Sequence, residues 1–204
     1  MNTTLNILAS KLLGEDRTLF LAPFCEVFNA LQEKSIFIKS NYKLWFNNPI
    51  VTKHNSHGVF PYLPGEDVKE MLQDKSKIIW SILTKIKTVT AAHHIGNVSL
   101  QDIDLHNRSA EVAIIIGESE YYGKGIASFA VEKICDHGFD NVGLNRIYGG
   151  TAATNFGMQK VFEKLGFAKE ATFNQAMFHQ GQFIDVFGYG LTSRARFYNN
   201  LGSE

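Results

Sequence analysis

The sequence predicts an α/β (α+β) fold, in which helices cover both faces of a mixed, largely antiparallel central sheet. Short apolar runs rich in β-branched residues predict the strands, and segments with an apolar residue every three or four positions predict the helices. At the centre are residues 111–130, EVAIIIGESEYYGKGIASFA, where a strand, a glycine loop and a helix follow one another. A helical crossover of this length returns the chain parallel, so residues 112–116 and 146–148 should form a parallel strand pair.

Composition favours one soluble domain over residues 1–204. Hydrophobic residues make up 45% of the chain, enough for one sizeable core. The 20 basic and 20 acidic residues cancel, so there is no general electrostatic reason to expect a nucleic acid or a membrane as partner. Cys25 and Cys135 have no metal-type spacing. We therefore expect a reduced, cytoplasmic protein without a metal, acting as a monomer or homodimer.

The first half of the chain should supply the outer strands and the first helices. Two short strands within residues 11–21 are predicted to turn at Gly14, and residues 24–34 have the spacing of a helix with one buried face. Residues 78–83 and 95–100 are predicted as central strands. We also expect a loop or lid at residues 51–66, a short helix at 68–72, and a polar turn at 84–94 with His93 and His94 on the surface.

The second half should complete the sheet around the glycine loop. A polar turn at residues 102–108 leads into the central strand at 110–116. The elements predicted after it are a helix within 121–139, a strand at 146–148, a helix at 156–165, and a hairpin of 172–178 and 183–191 that turns at Gln180 and Gly181.

Two glycines separated by one residue favour a phosphate-binding loop. Gly123 and Gly125 carry no Cβ, so an anion can approach the free N–H groups at the start of the following helix. Lys124 in the loop and Lys160 further along are candidates for phosphate contacts, and exposed helix lysines are the alternative. An ordinary turn is the alternative explanation of the glycine pair taken alone.

A second segment indicates a known family. Residues 155–167, NFGMQKVFEKLGF, predict a helix ended by Gly166. Together with the glycine loop they resemble the signature segments of the GNAT acetyltransferases, and the ending EKLGF resembles their RimJ/RimL-type branch. The resemblance is good over residues 95–191 and fainter over 11–51. It implies a GNAT-like fold, a parallel pair that splays after Ile116, and acetyl-CoA as co-substrate.

The resemblance also implies which residues bind the co-substrate. In that family the glycine loop holds the pyrophosphate, the splayed strand offers backbone groups to the pantetheine and the acetyl oxygen, and the Asn lies beside the pantetheine arm. The implied residues are Ile115, Ile116, Gly117, Tyr122, Gly123, Lys124, Gly125, Ile126, Ala127, Asn155 and Lys160. Asn155 is also a good N-cap for its helix, and the two roles are compatible.

Two positions depart from the family pattern. Glu120 stands where the loop motif commonly has Gln or Arg, which leaves more of the phosphate binding to backbone N–H groups. Phe162 stands where many members have the Tyr that protonates the departing thiolate. The proton donor must then be sought elsewhere. Our candidates are Tyr121, with Tyr122 and Tyr148 as alternatives.

Further candidates concern the acceptor amine. Glu111 is the leading candidate for the general base, because it begins the central strand beside the expected acceptor cleft; a solvated strand-end carboxylate is the alternative. Trp45 and Asn48 lie in WFNNPIV, which resembles an acceptor-binding loop of the branch, although Asn48 before Pro49 also simply ends a helix. Asp185 is a candidate for binding a cationic amine. The alternative is that it is an ordinary exposed strand residue.

These features predict an acetyl-CoA-dependent N-acetyltransferase that acts on a primary amine by direct attack in a ternary complex. The resemblance allows a protein N-terminus, an amino sugar or another small amine as acceptor. The alternative from another class is a non-catalytic CoA-binding or regulatory domain, which Phe162 and Glu120 would permit. A nucleotide-binding α/β domain is disfavoured, because the three-glycine fingerprint is incomplete.

Overall fold

The computed structural model describes residues 5–33, 38–54, 72–86, 91–179 and 181–196, and these form a nine-stranded mixed sheet with helices. The strands are β1 (Ala9–Leu13), β2 (Arg17–Pro23), β3 (Ile38–Ser40), β4 (Ile78–Ile86), β5 (Ala92–Asp104), β6 (Ser109–Ile116), β7 (Arg146–Ala152), β8 (Ala168–His179) and β9 (Gln182–Thr192). The helices are α1 (Phe24–Glu33), α2 (Tyr42–Trp45), α3 (Ile126–Asp140) and α4 (Phe156–Lys164).

The strand order is β1-β2-β4-β5-β6-β7-β9-β8. Neighbours are antiparallel except for β6 with β7, and for β3, which pairs in parallel with β5 at Ala92–His94, beyond the end of β6. The predicted fold class is therefore confirmed. The predicted β1–β2 turn, the helices α1, α3 and α4, and the β8–β9 hairpin are confirmed as well.

The parallel pair is confirmed, but it separates earlier than predicted. β6 and β7 pair only at Ser109–Arg146, Ala110–Ile147 and Glu111–Tyr148. The strands therefore part after Glu111 and not after Ile116. Residues 112–116 remain paired with β5 on their other edge, so the edge towards β7 has no strand partner. The result is a V with its closed end at Glu111 and its open end at Ile116.

Helices cover both faces of this V, because side chains alternate along each strand. Val98, Leu100 and Val112 lie in one core cluster with the buried residues of α3 and α4. Ile115, on the opposite face of β6 from Val112, packs in a second cluster with Phe24 of α1 and Trp45 of α2. The splayed strand is thus held from two sides, with α3 and α4 on one face and α1 and α2 on the other.

The polar turn predicted at residues 84–94 is wrong at both ends, with residues 87–90 outside the described residues, and the surface position predicted for His94 is wrong. β4 continues to Ile86 and β5 begins at Ala92, and His94 is 0% exposed. Its Nε2 lies 2.8 Å from Asn97 Oδ1, and its Nδ1 lies 3.0 Å from Ser40 Oγ. Both ring nitrogens therefore have partners, which is what allows a histidine to be buried. His93 is partly exposed.

Two predictions lie mostly outside the described residues. They are the short helix at residues 68–72, of which residues 68–71 are not described, and the loop at 51–66. Of that loop, Thr52–His54 form a turn of 3-10 helix.

The buried His94 predicts a pH-dependent stability. Burial lowers the pKa of His94 to about 4, although the hydrogen bonds to Asn97 and Gly96 oppose the shift. The unfolded chain, with a His pKa of about 6.5, binds more protons between these values, so stability should fall as the pH falls through this window. We expect a loss of roughly 3 kcal/mol from this group by pH 4. Denaturant unfolding of the parent and of His94→Gln should give a difference curve with this slope, and parallel curves would contradict the assignment.

Candidate active site

A cleft of about 720 Å³ opens where β6 leaves β7. Its walls are the end of β6, the glycine loop with the start of α3, one face of α4, and residues 50, 51, 53 and 54. Nine of the eleven predicted co-substrate residues line it, namely Ile115, Ile116, Tyr122, Gly123, Gly125, Ile126, Ala127, Asn155 and Lys160. The sequence patterns therefore converge on one concave site.

The glycine loop has the backbone geometry that requires glycine. Gly123 and Gly125 have φ values of 73° and 71°, in the left-handed region that side chains rarely adopt. A Cβ added to either residue would have no atom within 4 Å, so it would project into open space. Gly125 is the N-cap residue of the 15-residue helix α3. The N–H groups of the first helical turn therefore face the cleft without a Cβ in front of them.

The helix α4 supplies the opposite wall. Asn155 is its N-cap, and its Oδ1 accepts a hydrogen bond of 3.2 Å from the backbone N–H of Met158, as the sequence predicted. Lys160 and Lys164 both line the cleft. Lys164 was not predicted, although its position one helical turn after Lys160 is the signal that would have found it.

Two predicted co-substrate residues are not among the described residues that line the cleft. The N–H of Gly117 donates to the carbonyl of Ile95 at 2.8 Å, and the ring of Trp45 covers this glycine. The Nζ of Lys124 lies 5.3 Å from the ring centroid of Tyr121. Gly117 thus contacts Trp45 and Ile95, and Lys124 lies near Tyr121, which itself lines the cleft.

Tyr121 and Tyr122 use their hydroxyl groups in different places. The Tyr121 hydroxyl accepts a hydrogen bond of 2.8 Å from Arg17 of β2 and lies 3.3 Å from Thr84 Oγ1 of β4, so it is directed to the outer strands. The Tyr122 hydroxyl donates to the carbonyl of Ile116 at 3.1 Å. Burial, followed by the charge of Glu118, raises the pKa of Tyr122.

Glu111 occupies the closed end of the V. It pairs with Gln101 of β5 and Tyr148 of β7, and its Oε2 accepts a hydrogen bond of 2.9 Å from Gln101 Nε2. Burial, followed by the charges of Glu111 and Asp102, raises the pKa of Tyr148. Glu111 is not among the described residues that line the cleft, so a proton transfer to it would run through water.

Phe162, at the position of the usual acid, is part of the core. It is 1% exposed and stacks on Tyr189 with ring centroids 4.8 Å apart. Its Cζ packs against Gly149, where a Cβ would approach to 2.8 Å. The ring of Phe162 therefore occupies the hydrophobic core beside Gly149 of β7.

The side chains of the predicted acceptor residues form hydrogen bonds within the protein. Trp45 is 1% exposed, and its Nε1 donates to Glu118 Oε1 at 3.1 Å. The side chain of Asn48 accepts a hydrogen bond of 3.0 Å from the backbone N–H of Ile50, which closes the turn after α2. Asp185 Oδ1 accepts a hydrogen bond of 2.8 Å from the backbone N–H of Gln175, whose φ is 51°. Asp185 thereby caps a bulge of β8.

Another wall contains residues that were not among the predicted site residues. Ile50, Val51, Lys53 and His54 line the cleft, and the Nδ1 of His54 lies 3.5 Å from Thr154 Oγ1, just before α4. Burial, followed by the charges of Lys53 and His179, lowers the pKa of His54. The sequence signals for this wall were the acceptor-loop stretch that ends at Val51 and the loop or lid predicted at residues 51–66, although Lys53 and His54 were not named as site residues.

In the described ranges, no three His, Cys, Asp or Glu side chains lie together in a way that would hold a metal ion. No helix in that part of the chain is long and apolar enough to cross a bilayer.

Comparison with known proteins identifies the family. Residues 39–168 match the acetyltransferase (GNAT) domain family, so the chain belongs to that family and is an acyltransferase. An uncharacterized N-acetyltransferase p20 of Bacillus licheniformis is 29% identical over 157 residues, which are 74% of this chain and 84% of the relative.

The other similar proteins include spermidine acetyltransferases. A spermidine N(1)-acetyltransferase of Vibrio cholerae is 35% identical over 92 residues, 45% of this chain. The match spans about half of that relative, 53% of its length. A crystal structure of spermidine N-acetyltransferase from Vibrio cholerae, in complex with CoA and spermine, shares the fold with a TM-score of 0.68 at 22% identity, covering 88% of this chain and 98% of the other.

The glycine loop predicts a selective loss of CoA binding. Gly125→Val should place its side chain in the space in front of the α3 N-terminus and lower the affinity for CoA strongly. Gly181→Val is the matched control, because Gly181 also has a positive φ of 81° and open space around its Cβ, but lies in the β8–β9 turn. Both substitutions strain the backbone alike. Calorimetric titration with CoA should separate them, and equal affinities in the two variants would refute the assignment.

Proposed function

We propose that this protein is an acetyl-CoA-dependent N-acetyltransferase of the RimJ/RimL type, which transfers an acetyl group to a primary amine by direct attack in a ternary complex. We also propose that residues 1–204 form one domain, which works in the cytoplasm as a monomer or homodimer. The observation that carries the proposal is the V between β6 and β7, which opens beside a glycine loop and a helix N-terminus.

The residues of the cleft fit CoA. The first turn of α3, behind Gly125, offers N–H donors for a pyrophosphate, and Lys160 and Lys164 add positive charge from α4. The unpaired edge of β6 can bind the amide groups of a pantetheine arm in the way a neighbouring strand would. Asn155 lies on the opposite side of the same cleft. When bound, acetyl-CoA supplies an activated acetyl thioester.

The chain's own residues then have three tasks. The β6 edge orients the thioester and offers N–H groups to the carbonyl oxygen. Glu111, at the closed end of the V, takes a proton from the ammonium through water, so that the amine nitrogen can attack. As the C–N bond forms and the C–S bond breaks, the sulfur leaves as a thiolate and takes a proton from water or from the acetylated nitrogen. Tyr121, which lines the cleft, is the other proposed proton donor, because the hydrogen bond from Arg17 occupies its oxygen and leaves its proton available.

The acceptor is proposed to be a small-molecule or peptide amine and not a nucleic acid. The names of the Vibrio cholerae relatives, spermidine acetyltransferases, support small amines as the first acceptors to test. Protein N-termini and amino sugars are the other acceptors to test. Trp45, Asn48 and Asp185 are proposed to act on the acceptor side, with Trp45 and Asn48 shaping the wall that residues 50–54 form.

The experiment that tests the proposal is consumption of acetyl-CoA with a panel of polyamines, peptides and amino sugars, followed by mass spectrometry of the products. An added mass of one acetyl group on an amine supports the enzyme. CoA binding without any product across the panel would favour the alternative, a CoA-binding regulatory domain.

The proposed base predicts a rate loss that depends on pH. Glu111→Gln should lower kcat by about 10²- to 10⁴-fold with little change in acetyl-CoA affinity. Raising the pH should recover part of the loss, because more of the amine is then already deprotonated. Glu15→Gln, an equal charge change in the exposed β1–β2 turn, is the control. Unchanged turnover of Glu111→Gln over the whole pH range would remove Glu111 from the mechanism.

A further inference from the structure

Glu118 lies directly beyond the end of the splayed strand and is largely enclosed. Its side chain is 13% exposed. Its Oε1 accepts two hydrogen bonds from the α2 region, one of 3.1 Å from Trp45 Nε1 and one of 3.0 Å from Asn41 Nδ2. The Nε2 of His93 lies 3.9 Å from the same oxygen. The carboxylate of Glu118 thus accepts both of these hydrogen bonds from the α2 region and lies near His93 of β5.

The contact between α2 and the strand end is also steric. A Cβ added to Gly117 would lie 2.0 Å from Cδ2 of Trp45, so only glycine lets the indole rest on the backbone here. The indole plane and the carboxylate of Glu118 therefore fix the position of α2 against the residue that follows β6. Any shift of α2 must break the Trp45–Glu118 hydrogen bond.

A second anchor holds the other end of α2. The N–H of Tyr42 donates to Ser40 Oγ at 3.2 Å, and Ser40 in turn lies 3.0 Å from the buried His94. This anchor connects α2 to β5 but does not reach the cleft. Glu118 adds a hydrogen-bonded link, beside the apolar contact of Ile115 with the Trp45 cluster, between α2 and the strand whose last residues, Ile114–Ile116, line the cleft.

The wall that contains residues 50, 51, 53 and 54 follows α2 in the chain. Ile50, Val51, Lys53 and His54 line the cleft, and they are connected to α2 through the turn closed by Asn48. His54 also lies 3.5 Å from Thr154, just before α4, so the position of α2 sets where the start of this wall stands relative to the edge of β6. Glu118 itself is not among the described residues that line the cleft.

We propose that Glu118 is a positioning residue, which acts through Trp45 to hold the acceptor-side wall in register with the strand that orients the thioester. The proposal rests on the acetyltransferase function proposed above. It gives Trp45 an indirect role, since a side chain that is 1% exposed cannot be a broad contact surface for a substrate.

The kinetic test compares Glu118→Ala, Glu118→Gln and Trp45→Phe with the parent. Glu118→Ala leaves the Nε1 donor of the buried Trp45 without an acceptor, so kcat/KM for the amine should fall about ten- to hundredfold, with little change in KM for acetyl-CoA. Glu118→Gln keeps an acceptor oxygen and should recover a large part of the loss. Trp45→Phe keeps the ring but removes its donor, so its effect and that of Glu118→Ala should not add in the double variant.

The outcomes separate this inference from the proposed function. The inference would be overturned if the parent is active and Glu118→Ala keeps its kcat/KM. It would also be overturned if the losses of Glu118→Ala and Trp45→Phe add fully in the double variant. Equal rises of both KM values would also overturn it, because they would indicate a general loss of structure. Glu132→Gln, on the exposed side of α3 with a half-exposed side chain, controls for the change in charge.

A measurement without turnover decides the case in which the parent is inactive. Trp80 is the second of two tryptophans, so in a Trp80→Phe background the fluorescence reports Trp45 alone. Acrylamide should quench Trp45 more strongly in Glu118→Ala than in the background protein, because α2 is released from Gly117. Equal quenching in both proteins would overturn the proposal.

Discussion

β6 separates from β7 after Glu111, and the arrangement of the site follows from this separation. Buried backbone groups must find partners, yet residues 112–116 have a strand neighbour on one edge only. The sequence does not close this gap with another strand. It places a helix N-terminus, a glycine loop and an N-cap asparagine around it instead. The site is therefore a consequence of incomplete pairing in the centre of a sheet that is otherwise continuous.

The two faces of the V are secured by different physical means. On the α3 side the contacts are apolar and extensive, with Ile126, Phe129 and Ile134 buried in the main core cluster. On the α2 side a helix of four residues is too short to be stable by itself. It depends on the aromatic cluster around Trp45 and on hydrogen bonds to Ser40 and Glu118. The position of α2, and of residues 50–54 that follow it, therefore depends on polar contacts as well as on apolar packing.

Local patterns in the sequence predicted what depends on neighbours along the chain. The apolar spacing of α3, the cap at Asn155 and the left-handed positions of Gly123 and Gly125 are local properties, and the structure shows each of them. Contacts between distant residues were not predictable in this way. His94 is satisfied by Ser40, 54 positions away, and Trp45 by Glu118, 73 positions away. The point at which β6 leaves β7 is likewise set by tertiary packing, and the residue pattern of β6 contains no signal for it.

The packing of Phe162 explains why this position has no hydroxyl group. The ring is enclosed by Tyr189, Phe167 and Gly149, and a hydroxyl group there would need a polar partner in an apolar cluster. The demand for such an acid is small, because a thiol has a pKa of about 8.5 and its thiolate leaves readily near neutral pH. An alkyl ammonium, with a pKa of about 10, must lose its proton before it can attack. Removal of that proton, and the relative position of the two walls, are therefore the larger requirements that this fold has to meet.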